Sequence, residues 1–407
     1  MNQVNKSVAD MIQQEKLRME NEISLIASEN YAPQSVLDAV GSVLTNKYAE
    51  GYPGRRYYAG CSVVDQIEII GIERLKKLFG TEHANVQPHA GSQANMAAYL
   101  AFLQPGDTVL AMDFAAGGHL THGAPVNFSG KFFNMISYGV DPETECIDYE
   151  TMARRAEKHK PKMMIAGASA YSRTIDFARC AEIAQSVGAK FMADIAHIAG
   201  LIATDLHPSP VPYADVITGT THKTLRGPRG GFIASKAEYA SAIDRAVMPG
   251  VQGGPCMHTI AAKAIAFEYA MEPSFVTYQK QVIRNAQHMA CKLQDLGYRI
   301  VSGGTDNHMF IVDLQSKGVT GVQAERALEA AGINVTRSCI PFDTQKPLVG
   351  SGIRLGTPAI TTRGMQEKEV DQIVQWIDDV INHVDDASYL ASVKEKVQAL
   401  CEKYPIK

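Results

Sequence analysis

Short apolar runs alternate with segments of helical periodicity from about residue 65 onward. Apolar residues recur three and four positions apart in 65–79, and Gly80 follows as a natural C-terminal cap. A second helix is predicted at 177–186. Continuous apolar runs predict buried strands at 108–112, 162–166, 190–194, 215–218 and 231–235. Strands of this kind between helices predict a mostly parallel sheet covered on both faces.

The pattern changes after about residue 280. Thr320 and Gln323 have the spacing of a capping box, which opens a helix that Gly332 closes. The first 20 residues predict a polar, amphipathic helix or arm that either packs on a partner subunit or frays. Other predicted elements are a helix at 282–296, a strand at 308–314 and helices near 366–384 and 387–402. We therefore expect an arm (1–30), a large domain (31–280) and a smaller α+β domain (281–407).

Composition narrows the class of protein. The chain has 407 residues, of which 45% are hydrophobic, and this is enough for two domains. The net charge of -4 gives no electrostatic reason to expect a nucleic-acid or membrane partner, and no apolar window approaches a membrane span. Seven scattered cysteines without a C-x-x-C pair predict reduced thiols and no metal site. Without an apolar signal-peptide core, we expect a cytoplasmic protein.

Three segments carry candidate chemistry. Gly91 and Ser92 precede a predicted helix whose free N–H groups favour a phosphate, although a simple helix cap is the alternative. Asp194 ends an apolar strand and needs a partner such as a protonated pyridine nitrogen, unless it is a helix N-cap. Lys223 lies among hydroxyl groups, a histidine and glycines, where neighbouring cations lower the pKa of an imine-forming lysine; an exposed loop lysine is the alternative. Together they predict a pyridoxal-phosphate (PLP) enzyme acting on amino acids.

Further motifs carry a resemblance to a known family. They lie at 25–30 (LIASEN), 44–54 (LTNKYAEGYPG), 56–58 (RYY), 117–123 (GGHLTHG), 252–255 (QGGP) and 351–358 (SGIRLGTP). With the Lys223 segment, they make the chain resemble the serine hydroxymethyltransferases over about 25–364. The resemblance implies PLP fold type I, the aspartate-aminotransferase-like α/β fold. It also implies a homodimer with active sites shared between subunits, and leaves open whether dimers pair into tetramers.

The resemblance also implies roles for individual residues around the cofactor. Lys223 would hold PLP as a Schiff base, Asp194 would pair with the pyridinium, and His119 would stack on the ring. His197 would lie near the ring hydroxyl, and Thr220 would assist imine exchange. The implied phosphate contacts are Gly91, Ser92 and His222, with Tyr48 and Gly254 from the partner subunit.

On the substrate side, Arg354 would bind the carboxylate of the amino acid as a bidentate fork. Glu50 would be the acid/base group nearest the serine hydroxyl. The other implied substrate contacts are Ser28, Tyr57, Tyr58, Leu120 and Ser169. The family reaction converts serine to glycine and passes the one-carbon unit to tetrahydrofolate, a co-substrate.

Several positions depart from the family pattern, mostly on the folate side. Ala90 stands where a serine is common, which removes one phosphate hydrogen bond worth roughly 1.5–3 kcal/mol. The folate-side departures are Phe114, Ala116, Met248, Ser338 and Phe342. One hypothesis is an ordinary folate-dependent hydroxymethyltransferase, since Leu120, Tyr57 and Glu50 remain. The other is a specialised aldolase, transaldolase or α-methyl amino acid hydroxymethyltransferase with altered or lost folate dependence.

A third hypothesis is a catalytically silent relative that binds PLP or a partner protein. The intact Lys223, Asp194, Glu50 and Arg354 argue against it, because such a protein has no need of this set of reactive and charged side chains.

Overall fold

The computed structural model describes residues 7–406. Its strands are β1 Ile23–Ser24, β2 Gly51–Tyr52, β3 Arg55–Arg56, β4 His83–Asn85, β5 Thr108–Met112, β6 Asn134–Tyr138, β7 Met163–Ala166, β8 Lys190–Asp194, β9 Val216–Thr220, β10 Gly231–Ser235, β11 Arg299–Ile300, β12 Met309–Asp313, β13 Ile333–Asn334, β14 Thr336–Ser338 and β15 Gly352–Gly356.

The helices come between and after these strands. They are α1 Val8–Asn21, α2 Gln34–Val40, α3 Ser62–Phe79, α4 Gly91–Phe102, α5 Phe128–Phe132, α6 Tyr149–His159, α7 Phe177–Ser186, α8 Ala199–Ile202, α9 Ala240–Arg245, α10 Met257–Ala270, α11 Pro273–Asp295, α12 Gly321–Ala330, α13 Pro358–Thr362, α14 Glu367–Asn382 and α15 Ala387–Lys403. Within residues 7–406, none of them is both long and apolar enough to cross a membrane.

The large sheet has the strand order β4-β10-β9-β8-β7-β5-β6. Strands β9, β8, β7, β5 and β6 run parallel, and β10 runs antiparallel to both β9 and β4. This confirms the predicted mostly parallel sheet. The bounds of β5, β8 and β10 are as predicted, whereas β7 begins one residue later and β9 covers Val216–Thr220 rather than 215–218.

Both faces of this sheet are covered, which explains the continuous apolar runs. Val109 and Met192 pack on one face with Tyr99 of α4. Leu110 packs on the other face in the same core as Phe177 of α7. Successive residues of a strand point to opposite faces, so a strand covered on both sides is apolar at every position.

A second core lies around the four-stranded sheet β11-β12-β15-β14. Helices α12, α14 and α15 pack on it, and the parallel pair β1–β13 brings Ile23 near the N-terminus into the same core. The long helix α11 contributes Phe275 to the first core and Met289 to the second. The division at residues 30 and 280 remains a proposal, and residues 1–6 of the arm and the final residue lie outside the described residues.

Helix α11 begins at Pro273, nine residues before the predicted start at 282. The predicted start was wrong because Gln279 and Gln281 suggest a solvent-exposed segment, yet both are buried. The side-chain amide of Gln279 donates to the Thr224 carbonyl oxygen at 2.6 Å, and that of Gln281 donates to the side chain of Asn285 at 2.8 Å. Hydrogen bonding of this kind makes the burial of a polar side chain tolerable.

The helix caps follow the sequence closely. Gly80 ends α3 in the left-handed conformation at φ 71°, as its position after the apolar pattern predicts. Thr320 and Gln323 form the predicted capping box at the start of α12. Helix α1 confirms the predicted N-terminal helix, and none of its residues is buried within its own chain.

Candidate active site

Three segments meet at the carboxyl ends of β8 and β9. Asp194 is the last residue of β8 and is aligned with Thr218 in the parallel strand β9. Lys223 follows three residues after the end of β9. The start of α4 lies against the end of β9. The two are so close that a Cβ atom added at Gly91 would come within 2.7 Å of the Thr220 methyl group. The sheet therefore brings Gly91 and Ser92, which we call the anion-site segment, next to Asp194 and Lys223, which are far from them in sequence.

Asp194 is buried and surrounded by hydrogen-bond donors. One carboxylate oxygen accepts from His122 Nε2 at 3.0 Å and from Asn95 Nδ2 at 2.9 Å. The other oxygen accepts from the Ala196 amide at 3.0 Å. Burial raises the pKa of a carboxyl, but the His122 hydrogen bond and charge, with help from His119 and Asn95, hold the pKa of Asp194 below its ordinary value. Asp194 is thus a carboxylate that can stabilise a cationic ring nitrogen.

His119 lies at the start of a short 3₁₀ turn next to this carboxylate. Its Nδ1 is 2.7 Å from the hydroxyl of Thr121, and the Asn95 amide donates to that same hydroxyl at 2.7 Å. Burial lowers the pKa of His119 to about 4. A neutral imidazole in a fixed orientation is suited to stacking on an aromatic ring.

Lys223 is partly buried, not in open solvent. Burial lowers its pKa, the charge of Asp194 opposes this effect, and the charges of Arg354 and Arg229 add to it, so that the pKa is about 8. Its backbone is anchored, since Asn30 Nδ2 donates to the Lys223 carbonyl oxygen at 3.0 Å. An amine with a lowered pKa is more often neutral and nucleophilic at physiological pH.

Several polar groups at and around the anion-site segment have no hydrogen-bond partner within the described part of the chain. The N-cap of α4 is Ala90, which has no side chain to bond to the free N–H groups of the first turn. Ser92 is exposed there. The Nδ1 atom of His222 is buried without a hydrogen-bond partner, and its Nε2 lies 3.3 Å from Arg229 Nη1. Burial lowers the pKa of His222 to about 3, so the ring is neutral. Such a set of unsatisfied donors fits an anionic ligand.

Arg354 extends from β15 toward the same strand ends. Its Nη1 donates to the Ser169 carbonyl oxygen at 2.6 Å, and its buried Nε has no partner. Burial lowers its pKa to about 10, so it remains a cation at neutral pH. Ser28 lies close to the same strand, because the preceding residue Ala27 contacts Gly356 of β15. A Cβ atom added at Gly356 would come within 2.4 Å of the Ala27 Cα. Because its Nε has no partner among the described residues, the Arg354 guanidinium group can donate to a carboxylate.

His197 is buried close to Lys223 and Arg354. Its Nδ1 lies 3.3 Å from Nε2 of His308, and the two rings stack with centroids 5.5 Å apart. Burial lowers the pKa of His197 well below its ordinary value, and the charges of Lys223 and Arg354 add to this effect. The Thr220 hydroxyl next to it donates to the Ala196 carbonyl oxygen at 3.0 Å.

A cavity of about 180 Å³ opens next to Arg354 and Ser169. Its walls include three of the five folate-side departures, Phe114, Ala116 and Ser338. Phe342 lines a neighbouring cavity that shares Ala116, and Leu120 is exposed. Met248 differs from these residues, because it is buried within its own chain at 6% exposure and does not line the cavity.

A second group of predicted site residues forms a separate cluster, made of Tyr48, Glu50, Tyr58 and Gly254. The rings of Tyr48 and Tyr58 lie 5.1 Å apart, and a Cβ at Gly254 would come within 3.0 Å of the Tyr48 ring. The charge of Glu50 raises the pKa of Tyr58. Tyr48 and Tyr58 are 58% and 46% exposed, and the adjacent Tyr57 is 74% exposed. We call this the tyrosine cluster; its aromatic side chains face outward.

The sequence thus identified most of the side chains that meet at the strand ends, but not all. Asn95 follows the Gly91–Ser92 turn and His122 lies in the GGHLTHG motif, and the sequence assigned a role to neither, although both donate to Asp194. The sequence also assigned no individual role to His308 or Arg229. The one available signal was that a buried carboxylate requires donors, and it does not say which residues supply them.

These groups define a class of protein. A mostly parallel sheet, a carboxylate that influences a partly buried lysine, and an uncapped helix start next to a buried, unpaired histidine nitrogen fit PLP and define a PLP-dependent enzyme of fold type I. The model of the family described as serine hydroxymethyltransferase matches residues 1–377 of the 407-residue chain. The chain belongs to the serine hydroxymethyltransferase family, and it is a PLP-dependent transferase.

Proposed function

We propose that this enzyme interconverts serine and glycine and transfers the one-carbon unit to tetrahydrofolate. The observation that carries the proposal is Arg354, a partly buried cation with a buried, free Nε close to Lys223 and Asp194. A planar guanidinium with unsatisfied donors is suited to a carboxylate, which it binds through two parallel hydrogen bonds. An α-amino acid bound there would present its Cα close to the cofactor.

The cofactor would be held at both ends. The N–H groups at Gly91 and Ser92, with His222, would bind its phosphate, and Asp194 would bind its ring nitrogen. PLP supplies an electron sink for the negative charge that develops on the substrate Cα. Asp194 keeps this sink effective, because its carboxylate, with a lowered pKa, stabilises the protonated ring nitrogen.

The protein would control the position of the substrate and of its protons. Ser169 and Arg354 form one wall of the substrate site, with Ser28 close to the same strand. His119 would cover one face of the cofactor ring, and His197 would lie at its edge. Thr220 would guide exchange of the amino group between Lys223 and the substrate.

The tyrosine cluster would act in the site of a second subunit. Its rings face outward and contact one another, which suits a surface that a partner covers. Glu50 would then serve as acid/base group for the serine hydroxyl, and Tyr48 with Gly254 would complete the partner's phosphate site. We therefore propose a homodimer with shared sites.

The cavity next to Arg354 favours a second candidate function. Ala116 stands where the family pattern has a histidine, and Phe114 stands where it has the leucine that packs on the pterin, so this part of the wall is apolar. A wall of this kind suits an aldehyde or an α-methyl amino acid better than a polar pterin ring. The alternative is therefore an aldolase, transaldolase or α-methyl amino acid hydroxymethyltransferase with altered or lost folate dependence.

Cleavage of L-serine by the PLP-loaded enzyme, with and without tetrahydrofolate, separates the two. We expect glycine to form much faster with tetrahydrofolate present. An unchanged rate, together with turnover of threonine-like β-hydroxy amino acids, would reject the folate-dependent function in favour of the alternative. The reversion Phe114→Leu is a matched probe, because it should increase the response to folate only if the cavity wall limits pterin binding.

A further inference from the structure

Lys263 on α10 is a buried cation that none of the roles above uses. It is 1% exposed, and its Nζ donates to the carbonyl oxygens of Val86, Pro88 and Gly231 at 2.7, 2.9 and 2.8 Å. All three N–H donors of the ammonium group are therefore satisfied by backbone. Two of the acceptors directly precede the anion-site segment, and the third begins β10.

The ammonium group has no carboxylate partner. Among residues 7–406, no Asp or Glu oxygen lies within 4.0 Å of Lys263 Nζ. The carboxylate that influences its pKa is that of Glu68, and this group is bonded to Arg56 at 2.5 Å and to Gln87 at 2.7 Å. Burial lowers the pKa of Lys263 to about 7, because a buried charge without a counter-ion is costly.

One backbone segment separates this ammonium from the start of α4. The Gly231 carbonyl accepts from Lys263, and a Cβ at Gly231 would come within 3.0 Å of the Gly91 amide nitrogen and 2.5 Å of the Ala90 carbonyl oxygen. The Gly231 amide donates to the Pro88 carbonyl oxygen at 3.1 Å. Lys263 thus fixes the strand and the turn that aim the free N–H groups of α4, and adds positive potential behind them.

We propose that Lys263 is a positioning residue for the cofactor, whose charge and carbonyl contacts hold the phosphate of PLP at the start of α4. The inference rests on the phosphate site proposed above. In this arrangement the phosphate would be the counter-ion of the Lys263 ammonium group, since a phosphate at Gly91 would carry about two negative charges. Lys263 also compensates for Ala90, which offers no hydroxyl to the phosphate.

The test compares PLP with pyridoxal, which lacks the phosphate. Apoprotein of wild type and Lys263→Met would be titrated with each compound and followed by the absorbance of the bound cofactor. We expect Lys263→Met to weaken PLP binding at least tenfold and to change pyridoxal binding less than twofold. At saturating PLP, kcat should stay within twofold of wild type, because Lys263 does not reach the reacting atoms. The matched control is Lys280→Met, an exposed lysine on α11.

Each outcome of these titrations either supports or overturns the role proposed for Lys263. Equal losses for PLP and pyridoxal, or no loss for either, would overturn the proposal. If Lys263→Met does not fold, Lys263→Gln keeps amide donors inside the carbonyl cage without the charge, and the same comparison applies to it. Wild type that binds PLP no better than pyridoxal would instead reject the phosphate site itself, and with it the proposed function.

Discussion

Asp194 shows how a single buried carboxylate acquires its properties from its neighbours. Burial opposes its charge, and the donors His122 and Asn95 with the Ala196 amide restore it. A hydrogen bond to a charged group contributes roughly 1.5–3 kcal/mol. The sequence identified the acid, whereas its partners come from two other segments of the chain.

His122→Leu removes a donor from Asp194 without changing the acid itself. We expect kcat for serine cleavage to fall by about 10- to 100-fold, because one charged hydrogen bond of that strength supports the protonated cofactor nitrogen. KM for serine should change little, since His122 does not contact Arg354. Steady-state kinetics would measure both values, with the exposed His383→Asn as control. Loss of serine affinity with an intact kcat would contradict this assignment.

The lowered pKa of Lys223 predicts how the apoprotein captures its cofactor. Only the neutral amine reacts with an aldehyde, and this form increases as pH rises through the pKa. With a pKa of about 8 instead of 10.5, about one amine in eleven is neutral at pH 7 rather than about one in three thousand. The rate of PLP capture should therefore rise with pH and level off above a midpoint near 8, as stopped-flow absorbance would measure.

Arg229→Gln provides the control for that profile. Arg229 lowers the pKa of Lys223 by charge repulsion, so its removal should move the midpoint to higher pH. Arg245→Gln, an exposed change elsewhere, should leave the midpoint unchanged. A wild-type midpoint near 10.5 would mean that the lysine is not held in this environment.

At the scale of elements, local signals were reliable where one segment contains the whole interaction. The capping box of α12 is complete: the Gln323 amide donates to the Thr320 hydroxyl oxygen at 3.4 Å, and the Thr320 amide donates to Gln323 Oε1 at 3.0 Å. Helix α11 is the opposite case, because its early turns are stabilised by distant partners such as the Thr224 carbonyl.

Thr320→Ala should lower the free energy of unfolding by about 1 kcal/mol, the usual effect of losing an N-cap side chain. Urea denaturation followed by far-UV circular dichroism would measure the change. Cofactor absorbance and kcat should stay at wild-type levels, since α12 does not reach the strand ends. Ser316→Ala, an exposed neighbour outside the helix, is the control and should be neutral. A stability loss in both variants would show that the cap is not its source.

At the scale of the whole molecule, the outward-facing tyrosine cluster predicts that two chains share each site. Lys223→Ala and Glu50→Gln should each be inactive alone, because each removes one half of the site. A heterodimer of the two, co-expressed with different tags and isolated by both, should regain about half of wild-type activity, since one of its two sites is intact. Either variant re-tagged and paired with itself is the control. A heterodimer without activity would place each complete site within a single chain.

The sequence by itself determined what local pattern and chemical type encode. Apolar runs gave the order of the strands along the chain, caps gave several helix ends, and Lys223 and Asp194 were identifiable as reactive groups. Only the tertiary structure decided which donors hold Asp194, that Lys263 lies behind the start of α4, and that the tyrosine cluster stands apart. Periodicity reports contacts within one element, whereas these arrangements join segments that lie many residues apart and become neighbours only in the folded sheet.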